Sequence, residues 1–357
     1  YPLKFFILSF LLCMHKNNFD FLRLIFALCV IISHSYTLTG EAETDWLYTL
    51  TNGQVFFSYI GVRGFFIISG YLIYQSLLRS KSFYIFYWHR ILRIFPGLIV
   101  VLLLTVILGV FVYTGDFYSY ITNKSVWTYF PNNIKLFRLQ GTIQGIFENN
   151  PYKDDINGSI WTLGYEFICY VLISLLFFIK SRRVQFYILL VSCAFFYISI
   201  IFFSAEFAKM KFIIYLYDVI DFGTFFFAGS LLASVKIEKN KYRNSLMYVS
   251  FLTLIISLPL NFFKEVHLFA MPVAIILFGI SATKYLSGIS KKVGDMSYGI
   301  YIYAFAIQQT LVHFFRIEHF ALTIYASLIS IVFGYLSWHL VEKRALKYKN
   351  YFSPKIR

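Results

Sequence analysis

Charge is what this sequence has least of. Only 14% of its 357 residues are Asp, Glu, Lys or Arg, against about a quarter in an ordinary soluble domain. Acids are the scarcer sign, 17 against 32 basic residues, so an acidic, solvated or disordered chain is excluded. Four cysteines, Cys13, Cys29, Cys169 and Cys193, show no ligand spacing, and three lie in apolar runs. Neither a disulfide framework nor a zinc site follows from them, and no metal is expected. No internal repeat, flexible linker or attached soluble domain is visible.

What the chain has in excess is apolar and aromatic. It is 59% hydrophobic and 22% aromatic, with 43 Phe and 29 Tyr, and its mean hydropathy is +0.68. Rings in such numbers suit lipid-facing and interfacial positions. The net charge of +15 fits nucleic acid or membrane topology, and the hydropathy decides for topology, with a lipid bilayer and no nucleic acid as partner.

Runs near 20 residues, long enough to span a bilayer, fall at 19–38, 54–78, 94–114, 159–179, 184–204, 212–235, 245–263, 267–283, 297–315 and 320–341. With a cytoplasmic N-terminus, the inside segments hold 23 of the 32 Lys and Arg residues, as the positive-inside rule requires. The expected fold is therefore all-α: a polytopic integral membrane protein of about ten transmembrane helices, N-in and C-in. Residues 1–18 form an N-terminal cytoplasmic or interfacial segment, too short in its apolar run to span and lacking a small-residue cleavage site. Residues 19–344 are the transmembrane domain and 345–357 a basic cytoplasmic tail. The gap at 115–158, rich in Asn, Gly and Tyr, is expected to lie over the site as re-entrant or interfacial structure.

Polar residues inside the spans carry the chemistry, because intramembrane ionisable groups face protein or a watery cavity. In "RLIFALCVIISH", Arg23 and His34 return to within about 20° of one another on a helix, roughly 16 Å apart along its axis. Glu166, in "NGSIWTLGYE", reaches a depth similar to that of His34, and a carboxylate near a histidine fixes its tautomer and stabilises the imidazolium. Helix-to-helix bonding is the plainer reading of both. In "GVRGFFIISGYLI", the small residues Gly61, Gly64, Ser69 and Gly70 allow close helix approach. Arg63 in the same span either faces an anionic substrate or pairs with a carboxylate such as Glu166. Asp218 and Asp221 either line a polar cavity or pair with Arg63. Arg90 and Arg93 in "YWHRILRIFPG" share a face if helical and suit bidentate phosphate binding, although topology alone also places arginines there.

Taken in order, these segments resemble the membrane acyltransferase 3 family, which O-acylates cell-surface carbohydrates. "FLRLIFALCVIISHS" has its Arg-x10-His pattern, "GVRGFFIISGYLI" its Phe-Phe-x-x-Ser-Gly segment, and "RILRIFP" its Arg-x-x-Arg followed by proline. "SIWTLGYEFICYVL" is similar to its Trp-x-Leu-x-x-Glu segment, while "SYGIYIYAF" and "SWHLVEKR" resemble its late helices. The resemblance covers nearly the whole chain. It implies an acyl donor, by default cytoplasmic acetyl-CoA as cosubstrate, with Arg90 and Arg93 on its phosphates. It also implies His34, Glu166 and Arg23 as the catalytic set, His34 being the general base. Arg63, Ser69, Gly70, Trp161 and Tyr301 become substrate-binding or packing residues.

The implied acceptor is a hydroxyl of a surface glycan or lipid-linked saccharide (O-antigen, capsule or exopolysaccharide), and the implied location is the bacterial cytoplasmic membrane. Ala304 stands where the family usually has a second histidine, Ala306 where proline follows, Arg63 where an acid is common, and Arg344 where proline commonly follows the glutamate. A glycolipid transporter or flippase would share the spans and buried charges, but should show repeats with broken helices, which are not found.

Overall fold

The computed structural model describes residues 17–42, 44–137, 139–153, 155–210 and 215–351. Cys13 and most of the 1–18 segment lie outside the described residues, as does the end of the basic tail. Ten principal helices follow one another, and no β-strand forms among the described residues. They are α1 Phe19–Leu38, α2 Phe57–Arg79, α3 Phe83–Val112, α4 Trp161–Ser174, α5 Arg182–Phe202, α6 Leu216–Ser234, α7 Arg243–Ser257, α8 Phe263–Ile280, α9 Ser297–Phe315 and α10 His319–Ser337.

The chain is a multi-pass membrane protein. Among the described residues, eight helical stretches are long and apolar enough to cross a membrane, against ten expected runs. The two that fall short have different reasons. α7 has only 15 residues before its chain turns. α9 is long enough, but tyrosines and the pair Gln308 and Gln309 dilute its hydropathy. Its position explains the tolerance: α9 packs on α10, α1 and α3, and both glutamines are fully buried. Gln308 donates to the Ile31 carbonyl at 2.9 Å and Gln309 to the carbonyls of Tyr152 and Asp155. By contrast, α5 turns Val191, Phe195, Ile198 and Phe202 outward, as a lipid-facing helix must.

Local signals set the helix ends. α3 starts eleven residues before the apolar run at 94–114, because Ser82 caps it by accepting from the Ile85 amide at 3.2 Å. The Arg-rich stretch is thereby helical, and Arg90 and Arg93 lie on neighbouring turns. α1 is anchored at its start, where the Asn18 amide donates to Gly279 O at 2.7 Å. α2 crosses α6 at backbone contact: a Cβ on Gly70 would collide with the Phe226 carbonyl, and one on Gly229 with that of Ile67. Small residues at both positions make the crossing possible.

Between α3 and α4 the chain forms two short helices, Phe117–Thr122 and Lys124–Asn133. An irregular stretch then leads to α4. It is held to α9 by Asn150, which donates to Gln309 O and Oε1, and by Asn157, which donates to Ile302 O at 2.8 Å.

Candidate active site

Two cavities of about 670 Å³ each lie between the helices, within the size range of small-molecule sites. α2 runs past both. Its first turns (Ser58, Val62, Arg63) line one cavity, and its later turns through Arg79 line the other. The cavities therefore approach from opposite ends of a 23-residue helix, roughly 35 Å long. Among the described residues they share two lining residues, Val62 and Tyr301. The Tyr301 hydroxyl is 2.7 Å from Thr162 Oγ1, and its ring meets Phe65 at 5.6 Å.

The first cavity is basic. Arg79, Lys81, Arg90 and Lys349 line it, together with Arg23 and Arg93. Those last two are already committed. Asp295, in the segment between α8 and α9, accepts from Arg23 at 3.0 Å and from Arg93 at 2.7 Å on one oxygen, and from Ser297 at 3.0 Å on the other. Burial alone would raise the Asp295 carboxyl, but the Arg23 and Arg93 guanidiniums and the Ser297 hydroxyl hold it down at about 2. Arg93 also lies 3.6 Å from Glu342. Glu342 closes a π-helical turn, Trp338–Glu342, that ends α10, and Trp338 joins the cavity wall. Arg90 is the less engaged guanidinium. Its Nε is buried without a partner, its hydrogen bond to Ser76 is long at 3.4 Å, and its guanidinium lies 5.8 Å from the Phe86 ring centre and 6.0 Å from that of Tyr170.

The second cavity is aromatic. Tyr152, Trp161, Tyr165, Tyr217, Phe222 and Phe305 contribute rings, and His34 is the one imidazole among the described lining residues. His34 Nδ1 is sealed without a hydrogen bond, which leaves Nε2 as the nitrogen able to meet a ligand. The ring stands edge-on to Phe305 at 5.3 Å. Phe305 directly follows Ala304, so a phenyl ring serves next to the position of the missing second histidine.

The structure separates His34 from Glu166, and the expected pairing does not form. Glu166 lines the basic cavity, where it accepts from Ser69 Oγ at 2.8 Å and Tyr170 OH at 2.5 Å. Equal depth placed the two groups together on paper, but depth leaves the azimuth free. On α4, Trp161, Gly164 and Tyr165 face the aromatic cavity, while Leu163, Glu166 and Tyr170 face the basic one. Arg23 and His34 likewise divide between the cavities. Ser69 supports Glu166, Gly70 packs, and Trp161 is a chamber wall.

Of the alternatives open for Arg63, the carboxylate pair is realised, with Asp221 as partner. Its guanidinium also lies 3.4 Å over the Tyr59 ring. His267 Nδ1 donates to Phe263 O at 3.0 Å, so its Nε2 accepts from Tyr59 OH at 2.6 Å. Sequence reading missed Tyr59, His267, Asp295 and Glu342. Asp218 accepts from Tyr165 OH at 3.0 Å.

This arrangement agrees with a match to the Acyl_transf_3 family, described as an acyltransferase domain, over residues 16–340. The chain belongs to that family. It is 32% identical over 346 residues to an O-acetyl transferase of Shigella phage Sf6, covering 93% of this chain and 97% of the relative. It is 34% identical over 186 residues to Nodulation protein 10 of Rhizobium leguminosarum bv. viciae, covering 47% of this chain and 46% of that protein. No solved structure shows a significant match. The protein is a membrane acyltransferase, and its basic and aromatic chambers are the candidates for the two substrates of acyl transfer.

Proposed function

We propose that this acyltransferase moves an acetyl group from cytoplasmic acetyl-CoA to a hydroxyl of a cell-surface glycan, in the bacterial inner membrane, with His34 as general base. The observation that carries the reading is the pair of unlike chambers ending on Tyr301 and Val62, with His34 in the aromatic one. The bias of Lys and Arg supports N-in, C-in placement, which opens the basic chamber to the cytoplasm.

The donor's phosphates meet Arg79, Lys81, Arg90 and Lys349, since guanidinium and ammonium groups suit phosphate. Arg23 and Arg93, held by Asp295, anchor that wall rather than grip the ligand. The pantetheine arm passes Glu166 and Tyr170 toward Tyr301. In the aromatic chamber, His34 Nε2 accepts the proton of the sugar hydroxyl as its oxygen attacks the thioester carbonyl carbon. The tetrahedral intermediate then collapses and the C–S bond breaks. The thiolate of CoA leaves and receives the proton from the imidazolium. A poorly nucleophilic hydroxyl requires a base that takes its proton as it attacks.

The test compares O-acetyl content of surface glycans in cells making the wild type or His34→Ala at matched membrane abundance. Loss of a general base predicts a fall of about 10²- to 10⁴-fold. Unchanged acetylation with His34→Ala would make the imidazole structural and remove the mechanism.

A further inference from the structure

Acyl transfer builds negative charge on the thioester carbonyl oxygen, and a buried site must offer that oxygen a hydrogen-bond donor. We propose that the Tyr301 hydroxyl, positioned by Thr162, donates the hydrogen bond that stabilises this oxyanion. The role rests on the acyl-transfer reading, which brings the acyl donor through the basic chamber and the acceptor through the aromatic one.

Under that reading the thioester carbon and the attacking oxygen meet where the chambers meet, beside Val62 and Tyr301. Val62 has no polar side-chain atom, whereas Tyr301 brings a phenol to both cavities. Tyr301 and Thr162 are buried, and Thr162 lines the basic chamber, from which the thioester arrives. Two hydrogen bonds fix the register of α9 against the start of α4. Asn157 donates to Ile302 O at 2.8 Å, and the Tyr301 and Thr162 hydroxyls lie 2.7 Å apart. Phe65 braces the phenol ring edge-on at 5.6 Å.

Two hydroxyls carry two protons, and their mutual bond uses one. With Thr162 donating, the more acidic phenol proton is the one left for a ligand. A hydroxyl that accepts one hydrogen bond is polarised to donate another more strongly. The nearby hydroxyls of the basic chamber are committed elsewhere, because Ser69 and Tyr170 both donate to Glu166.

The electrons and protons balance. His34 Nε2 takes the hydroxyl proton as the sugar oxygen bonds to the carbonyl carbon, and the C=O π pair moves onto the carbonyl oxygen. Tyr301 donates a hydrogen bond to that oxygen and keeps its own proton. The pair then returns to re-form C=O, the C–S bond breaks, and the thiolate takes the proton from the imidazolium.

Tyr301→Phe removes the hydroxyl and keeps the ring against Phe65. Acetyl-CoA turnover, read as CoA thiol released by native membranes at matched abundance, should fall about 10²- to 10³-fold. The KM for acetyl-CoA should change little. Thr162→Val, which releases the phenol without removing it, should cost less. Binding to the chain in nanodiscs separates catalysis from packing. Free CoA should bind the wild type and Tyr301→Phe alike. The trifluoromethyl ketone analogue of acetyl-CoA, with methylene in place of sulfur, hydrates to a tetrahedral carbon. It should bind Tyr301→Phe about tenfold or more weakly than the wild type.

A packing role would weaken both ligands together or neither, and either result overturns the assignment. His34-dependent turnover that survives Tyr301→Phe overturns it too, while leaving acyl transfer intact. Wild-type membranes that release no CoA refute the acyl-transfer reading itself, and this role with it.

Discussion

Replacing Asp295 by Asn should cost this acyltransferase about 2–3 kcal/mol, and the cost should vanish in acid. Asn matches Asp in size and keeps an oxygen for Ser297, so the change removes charge and little else. In the wild type one carboxylate oxygen serves both Arg23 and Arg93, whose side chains are 19% and 18% exposed. Without it Arg93 retains Glu342 at 3.6 Å, while Arg23 has no other ion pair among the described residues. Breaking a buried pair from one side costs about 3–5 kcal/mol, and the remaining glutamate puts this case at or below the lower end.

The carboxyl's own titration gives a second figure. Held at about 2 in the fold, against roughly 3.9 in an unfolded chain, it contributes about 2–3 kcal/mol. Because the folded value is the lower one, that contribution is complete above about pH 4 and is lost as pH falls toward about 2. Equilibrium unfolding in mixed micelles, measured for both proteins from pH 6 downward, is the assay. A loss below about 1 kcal/mol near pH 6, or an Asp295→Asn variant that keeps the wild type's slope between pH 4 and 2, would refute the clamp.

Two further substitutions test the frame and the donor wall. Gly70→Ala drives a methyl group into the Phe226 carbonyl. Overpacking of about 1–3 kcal/mol or more should show as a sharp fall in folded protein recovered from membranes, and normal recovery would deny the α2–α6 contact. Arg90→Gln should raise the KM for acetyl-CoA about tenfold or more, the worth of one charged hydrogen bond, with kcat little changed. Arg93→Gln should instead lower stability, and the assignment fails if the two variants behave alike in steady-state kinetics and unfolding.

Much of the fold was readable because hydropathy reports the environment of a whole helix. The apolar runs fell on helices, and Arg23, His34, Arg63, Ser69, Trp161, Glu166 and Tyr301 do line the two chambers, while Gly61, Gly64 and Gly70 pack. Hydropathy failed where a helix is surrounded by protein. α9 carries Gln308 and Gln309 because its neighbours supply their partners, and no lipid-based threshold anticipates that. It failed again at the start of α3, where arginines diluted the run but Ser82 had already begun the helix.

The site was legible in its residue types and illegible in their pairings. Arg63 had three acidic candidates, and only three-dimensional packing chose Asp221. Asp295 lies 272 residues from Arg23 in a short polar connection, where nothing in its surroundings marks it as a buried clamp. Glu166 shows the limit most clearly. Counting residues along a span measures how deep a group lies, whereas which neighbour it meets depends on a rotation that the count does not contain.

The thin wall between the chambers has an electrical consequence. A bilayer normally spreads its voltage over some 30 Å of hydrocarbon. Water filling the two cavities, which meet at Tyr301 and Val62, would steepen the field across those side chains. Each elementary charge carried across it exchanges about 2.3 kcal/mol per 100 mV with the membrane potential. In the proposed reaction the acyl group moves one way and the hydroxyl proton returns to the thiolate, so the completed transfer carries no net charge across it. The packing of Tyr301 and Val62 would then decide how well the meeting point of the two chambers resists an ion leak.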